Sequence, residues 1–262
     1  MTFFSLSTWT LVVVLTLIIG GATALGVYLG QRVRSHPDGN AEPVGVVQAA
    51  MLGLVGLLLA FGLSMAVGRY ETRRAIVVQE SNDIGTTYLR AQLLSEPERT
   101  ESMDLLRTYT DATIVMADQV PGTTAFRESV ADVERLQNEL WTIAGAAVAK
   151  DSVGTAPKLY IETLNDTIDI HTDRLASLNN RVPGSVEALQ VIAAAFAAGA
   201  LAMYLTVIGR SLVSLILVSA VLMVILFVSF DLDRPQRGVI TVPFTALVDV
   251  RASMDGPPAV VP

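Results

Sequence analysis

The sequence predicts an all-α fold: a polytopic membrane protein with four transmembrane helices and a helical cytoplasmic region between helices two and three. Three observations predict it. Residues 1–31, 44–68, 188–209 and 211–230 contain no Asp, Glu, Lys or Arg. Each stretch reaches the roughly 20 apolar residues that cross a hydrocarbon core about 30 Å thick, and only helices or closed barrels satisfy their backbone in lipid. The composition agrees, with 52% hydrophobic and only 16% charged residues, where soluble chains carry about 25% charge. Between the second and third stretches the apolar residues recur at helical spacing, and no strand-like alternation competes with it.

The elements follow in order. The first stretch lacks a basic segment before its apolar run, and that run is too long for a cleaved signal peptide. It reads as a retained helix over about residues 9–30. Pro37-Asp38-Gly39-Asn40 signals a turn. The second helix starts near Val44, and the next proline is Pro97, so one long helix is expected to leave the bilayer unbroken. The polar middle is punctuated by Pro97, Pro121, Pro157 and Pro183. Ser95-Glu96-Pro97-Glu98 matches a capping box with proline just inside the helix start. Phe126, Val130, Val133, Leu140, Ala144 and Ala147 trace one helical face, and Leu164, Ile168, Leu175 and Leu178 another. Gly209-Arg210-Ser211 leaves room only for a tight hairpin between spans three and four. The resulting regions are 1–68, 69–185, 186–230 and a tail, 231–262, whose Pro- and Gly-rich end is expected to lack fixed structure.

Orientation follows from the flanking cations. Four spans place both termini and the middle on one side, with Arg69, Arg73, Arg74, Arg174, Arg181, Arg234 and Arg237 near the membrane. The other side has Arg32, Arg34 and Arg210. The richer side is expected to be cytoplasmic, in the inner (plasma) membrane.

The second span carries two stripes. Gly56, Ala60, Ser64 and Gly68 recur every four residues and suit close helix packing in lipid. Beside them lie Leu57, Phe61 and Met65. Both stripes are explained by packing against neighbouring helices. The sharper reading of the bulky one is an apolar constriction, if one such helix per subunit surrounds an axis. The third span is rich in alanine, from Ala193 to Ala202, which suits close packing. No ionisable residue lies deep in a span, which argues against a proton-coupled pump.

Residues 68–187 hold 12 basic and 19 acidic residues, so the formal charge of −7 sits there. Such a surface disfavours nucleic acid and anionic lipid. Glu162, Asp166, Asp169 and Asp173 form an acidic stripe at 4-3-4 spacing. It reads as a solvated helix face or a carboxylate set for a divalent cation, without EF-hand spacing. No metal site is assigned. His171 continues the apolar series of its helix, and Glu80 sits between Val77 and Ile84 on an inner face. A buried carboxylate needs a partner, so Glu80 or nearby Asn82 is expected to meet His171 or Arg174. The chain has no cysteine and two histidines, His36 and His171, which rules out thiolate chemistry and a multi-histidine haem or copper site in one chain. No glycine-rich phosphate loop, nucleophile elbow or HExxH motif occurs. No catalytic residues and no cofactor are assigned, and the chain is not expected to be an enzyme.

The residues also carry a resemblance. Leu59-Ala60-Phe61 through Arg69-Tyr70-Glu71, the run from Gln79-Glu80-Ser81-Asn82 to Tyr88-Leu89-Arg90, Asn165, Asp169-Ile170-His171, Arg174, Arg181–Pro183, Arg234-Pro235 and Gly238 resemble the bestrophin-like bacterial membrane proteins. The layout is similar to that of bestrophins, which are pentameric ion channels with a second helix lining an apolar neck. The resemblance implies a homo-oligomeric, passive ion channel in the lipid bilayer. Leu57, Phe61 and Met65 would form its neck, and Glu162, Asp166, Asp169 and Asp173 an acidic vestibule favouring cations over anions. No calcium site is carried over. The alternative is a non-conducting membrane scaffold or signalling module whose cytoplasmic helices dock an unidentified protein partner.

Overall fold

The computed structural model describes residues 6–34, 41–209 and 212–257. The Pro37–Asn40 turn, His36, Arg210-Ser211 and the last five residues lie outside them. Among the described residues eight helices follow one another: α1 (Thr8–Arg34), α2 (Ala41–Ala91), α3 (Glu98–Asp118), α4 (Thr124–Lys150), α5 (Thr155–Asn179), α6 (Gly184–Val207), α7 (Leu212–Leu232) and α8 (Thr245–Ser253). The described residues contain no strand. Four helical stretches are long and apolar enough to cross a membrane, and they fall on α1, the first part of α2, α6 and α7. The 51 residues of α2 run without interruption, as the absence of proline between Val44 and Glu96 allows.

The chain divides into two units, and α2 contributes to both: Met1–Arg69 with Arg181–Ile240, and Tyr70–Asn180 with Thr241–Pro262. In the first unit, one apolar cluster joins Leu11, Leu15 and Ile19 of α1, Val55 and Leu59 of α2, alanines of α6, and Leu222, Leu226 and Phe230 of α7. The alanines let backbones meet. Ala194, Ala197, Ala198 and Ala202 are buried, and a Cβ at Gly26 would strike the Gly199 carbonyl and Ala202. Any larger residue at Gly26 would force α1 and α6 apart. On α2 the residue in this role is Gly62, whose missing side chain leaves room for Gln190 of α6.

In the second unit the core runs through Ile84, Leu106, Tyr109, Met116, Leu140, Tyr160 and Leu164. The face expected on α4 is buried at Val133, Leu140, Ala144 and Ala147, and half-buried at Phe126 and Val130. The break expected before span three is present, with Pro183 as the N-cap of α6.

One local expectation is corrected. Ser95 does not cap α3: Pro97 is the N-cap, with no side-chain capping bond. The carboxylate of Glu96 instead accepts from the Thr100 amide at 3.3 Å and from Arg99. Residues 231–262 are shared between the two units. Residues up to Ile240 belong with the first unit and the rest with the second, where α8 docks. Leu247 and Met254 are fully buried there, and the Met254 carbonyl accepts from Tyr88 at 3.0 Å and from Arg107.

Candidate functional site

The second span presents the two stripes read from sequence. Leu57, Phe61 and Met65 are 55%, 61% and 42% exposed, so this row faces away from the rest of its own chain. Gly56, Ala60, Ser64 and Gly68 are exposed as well. A Cβ built at Gly56 or Gly68 meets nothing within 4 Å. The face of α2 that packs within the chain is a different one, formed by Val55, Leu59, Gly62 and Ala66. Both stripes are therefore open to lipid or to another molecule. The 3.6-residue period sets both stripes on the side of α2 away from its packed face.

Glu80, His171 and Arg174 come together inside the second unit. Glu80 projects from α2 and the other two from successive turns of α5. Arg174 Nη1 donates to Glu80 Oε2 at 2.5 Å, and His171 Nδ1 lies 3.5 Å from Oε1. All three are buried, Glu80 completely. The sequence reason is spacing: Glu80 follows Arg73 and Val77 on the inward face of α2, and His171 and Arg174 continue the inward line from Leu164. Arg73 on that face donates to the carbonyls of Ser177 and Asn180, at 3.3 and 2.9 Å. Around the ion pair the core stays polar. Thr87 and Thr167 share a buried hydrogen bond of 2.9 Å, and Gln137 donates to the Tyr109 hydroxyl at 3.3 Å. Burial raises the Tyr109 phenol far above its ordinary value, with the Glu80 charge adding to the effect. Asn82 does not join this cluster; it is exposed on the opposite side of α2.

The acidic stripe lies on one exposed face of α5. Asp169 accepts from Asn165 at 2.9 Å, and Glu162 lies 3.5 Å from Arg90 of α2. Among the described residues no group of three or more His, Cys, Asp or Glu is arranged to hold a metal ion.

A second charged cluster, which pattern reading did not assemble, closes the first unit at the end of α7. Asp231, Asp233 and Arg234 are buried. Asp231 Oδ2 accepts from the amides of Val239 and Ile240, both at 2.8 Å, and pins the turn after α7. Asp233 accepts from the Val182 amide at 2.9 Å, just before α6, and lies 4.0 Å from Arg69 of α2. Arg234 donates to the Leu6 carbonyl ahead of α1, and burial lowers its guanidinium from its ordinary value. Charges placed directly after an uncharged span were the available signal. Their partners are remote in sequence, at Leu6, Arg69 and Val182, so spacing rules cannot pair them.

These features define a four-span helical membrane protein whose second span is open along one face and whose polar helical unit is built around a buried ion pair. The chain belongs to the bestrophin-like family: the model of the bestrophin-like domain matches residues 16–247. No curated protein and no solved structure matches the chain.

Proposed function

We propose that this chain is the subunit of a homo-oligomeric, passive ion channel of the inner membrane, with both termini cytoplasmic. The observation that carries the reading is the outward row Leu57, Phe61 and Met65 on a membrane-crossing helix, flanked by small residues that are exposed as well. Copies of α2 gathered about an axis would turn that row into a stack of apolar rings, and such rings gate by dewetting. Gly56, Ala60, Ser64 and Gly68 would let neighbouring helices approach closely around it. The exposed carboxylates of α5 would border an inner vestibule, concentrate cations and repel anions. Pentameric assembly follows from the family's likeness to bestrophins.

The test is ion flux from liposomes holding the purified protein, under potassium and chloride gradients and against empty liposomes. Flux should appear, and Phe61→Ala should raise it by widening the constriction. A folded Phe61→Ala protein with unchanged flux would remove Phe61 from the path. No flux over a range of pH and calcium would favour a non-conducting scaffold.

A further inference from the structure

Gln190 combines two features. It lies in the second turn of α6, inside the uncharged stretch 188–209, and is only 2% exposed. Burying an amide in a span is costly, and polar residues so placed mark working parts of membrane proteins. Its amide also fills the place that a side chain at position 62 would take. A Cβ built at Gly62 collides with Gln190 Nε2, and Gln190 Cδ and Oε1 lie 2.6 and 3.2 Å from it. The neighbours on the same face of α2, Val55, Leu59 and Ala66, are buried, and Val55 and Leu59 share an apolar cluster with Val191 and Ala194 of α6. Gln190 thus reaches past that layer of side chains to the backbone of α2. Gly62 follows Phe61 directly, about 100° further round the helix. Two turns further on, Arg69 lies 4.0 Å from Asp233 and ties the end of the same span.

We infer that Gln190 is a positioning residue: its amide, set against Gly62, fixes how far α2 stands off α6 and thereby the width of the apolar constriction. The inference rests on the channel reading above. In lipid no hydrophobic force draws two helices together, so their separation follows the side chains packed between them. The row Leu57, Phe61 and Met65 is exposed on the side of α2 away from the packed face. A shorter side chain at 190 therefore lets α2 close on α6 and draws the row back. A larger residue at 62 presses α2 off α6 and drives the row forward.

The test is flux per folded protein in liposomes for the parent, Gln190→Ala, Gly62→Leu and the two changes combined, with size-exclusion profiles reporting folding. Leucine is used at 62 because the end of the Gln190 side chain can turn aside for a single methyl group. Gln190→Ala should raise flux several-fold and Gly62→Leu should lower it several-fold. The combined variant should return most of the way to the parent, since leucine fills the space that alanine leaves. A purely structural role would lower flux in both single variants, by loss of packing or by overpacking, and would not give opposite signs. The inference is overturned if folded Gln190→Ala conducts no more than the parent, or if the combined variant lies no nearer the parent than the single ones. If Gly62→Leu does not fold, Gln190→Ala decides alone. A parent without flux removes the channel and this inference with it. A conducting parent whose flux rises with Phe61→Ala and not with Gln190→Ala keeps the channel and removes the role of Gln190.

Discussion

At the scale of single residues, the buried pair Glu80–Arg174 is the most consequential contact in the second unit. Both charges have left water, and each is tolerable only because the other is present. Removing one partner of a buried pair costs about 3–5 kcal/mol, because the other stays buried and uncompensated, while replacing both with apolar residues is often neutral. Glu80→Leu should therefore lower the unfolding free energy by about that amount, and Glu80→Leu with Arg174→Met should recover most of it. Denaturant unfolding of the two variants and the parent checks both halves. Tyr160 gives a pH-dependent counterpart. Its buried phenol is pushed up from 10.0 to about 12. The folded state thus holds its proton more tightly than the unfolded state, so this contribution is intact below pH 10 and is lost as pH rises through about 12. Tyr160→Phe should change stability by no more than about 1 kcal/mol at neutral pH. It should also flatten the alkaline decline expected in melting curves between pH 10 and about 12.

At the scale of elements, most of the helices were legible from the sequence, and the exceptions have physical reasons. Charge-free stretches mark the spans because lipid penalises charge whatever the tertiary structure. Prolines mark the breaks because they cannot donate within a helix. The Glu80 cluster was legible because an ionisable residue on an apolar face requires a partner, and helical spacing left few candidates. Asn82 was grouped with it by proximity in sequence, yet two residues along a helix is more than half a turn away. Gly62 was passed over as the packing glycine because Gly56, Ala60, Ser64 and Gly68 form the longer regular series. Only the facing side chain, Gln190, distinguishes the packed glycine from the open ones. Within the tail, α8 was not legible because nine residues are too few to show a helical period. Its docking is a tertiary event. Leu247 is fully buried, so Leu247→Ala should cost about 2–5 kcal/mol. That loss should fall on the docking of α8, the helix that the described residues after Ile240 contribute. Hydrogen exchange should then show amides of α8 losing protection first, with α3 to α5 unchanged; uniform loss across the unit would mean that α8 is integral to its folding.

At the scale of the whole molecule, the uneven distribution of charge gives the proposed channel a test of its selectivity. The formal charge of −7 is concentrated in residues 68–187, and the carboxylates of α5 stand exposed on one face. Fixed charge acts on permeating ions only within about a Debye length, near 10 Å at 0.1 M salt. The stripe therefore matters for selectivity only if it borders the path. Replacing Asp166, Asp169 and Asp173 by Asn removes three negative charges from each subunit without changing side-chain size. None of these residues is buried, so folding should be spared, although Asp169 loses charge in its bond to Asn165. If the stripe lines a vestibule, the reversal potential under a potassium chloride gradient should move toward that of a non-selective pore. The shift should be largest at low salt and fade as salt rises, because screening weakens whatever field the carboxylates supply. An unchanged reversal potential at every salt concentration, with flux retained, would place the stripe outside the path. Selectivity would then be left to the uncharged face of α2.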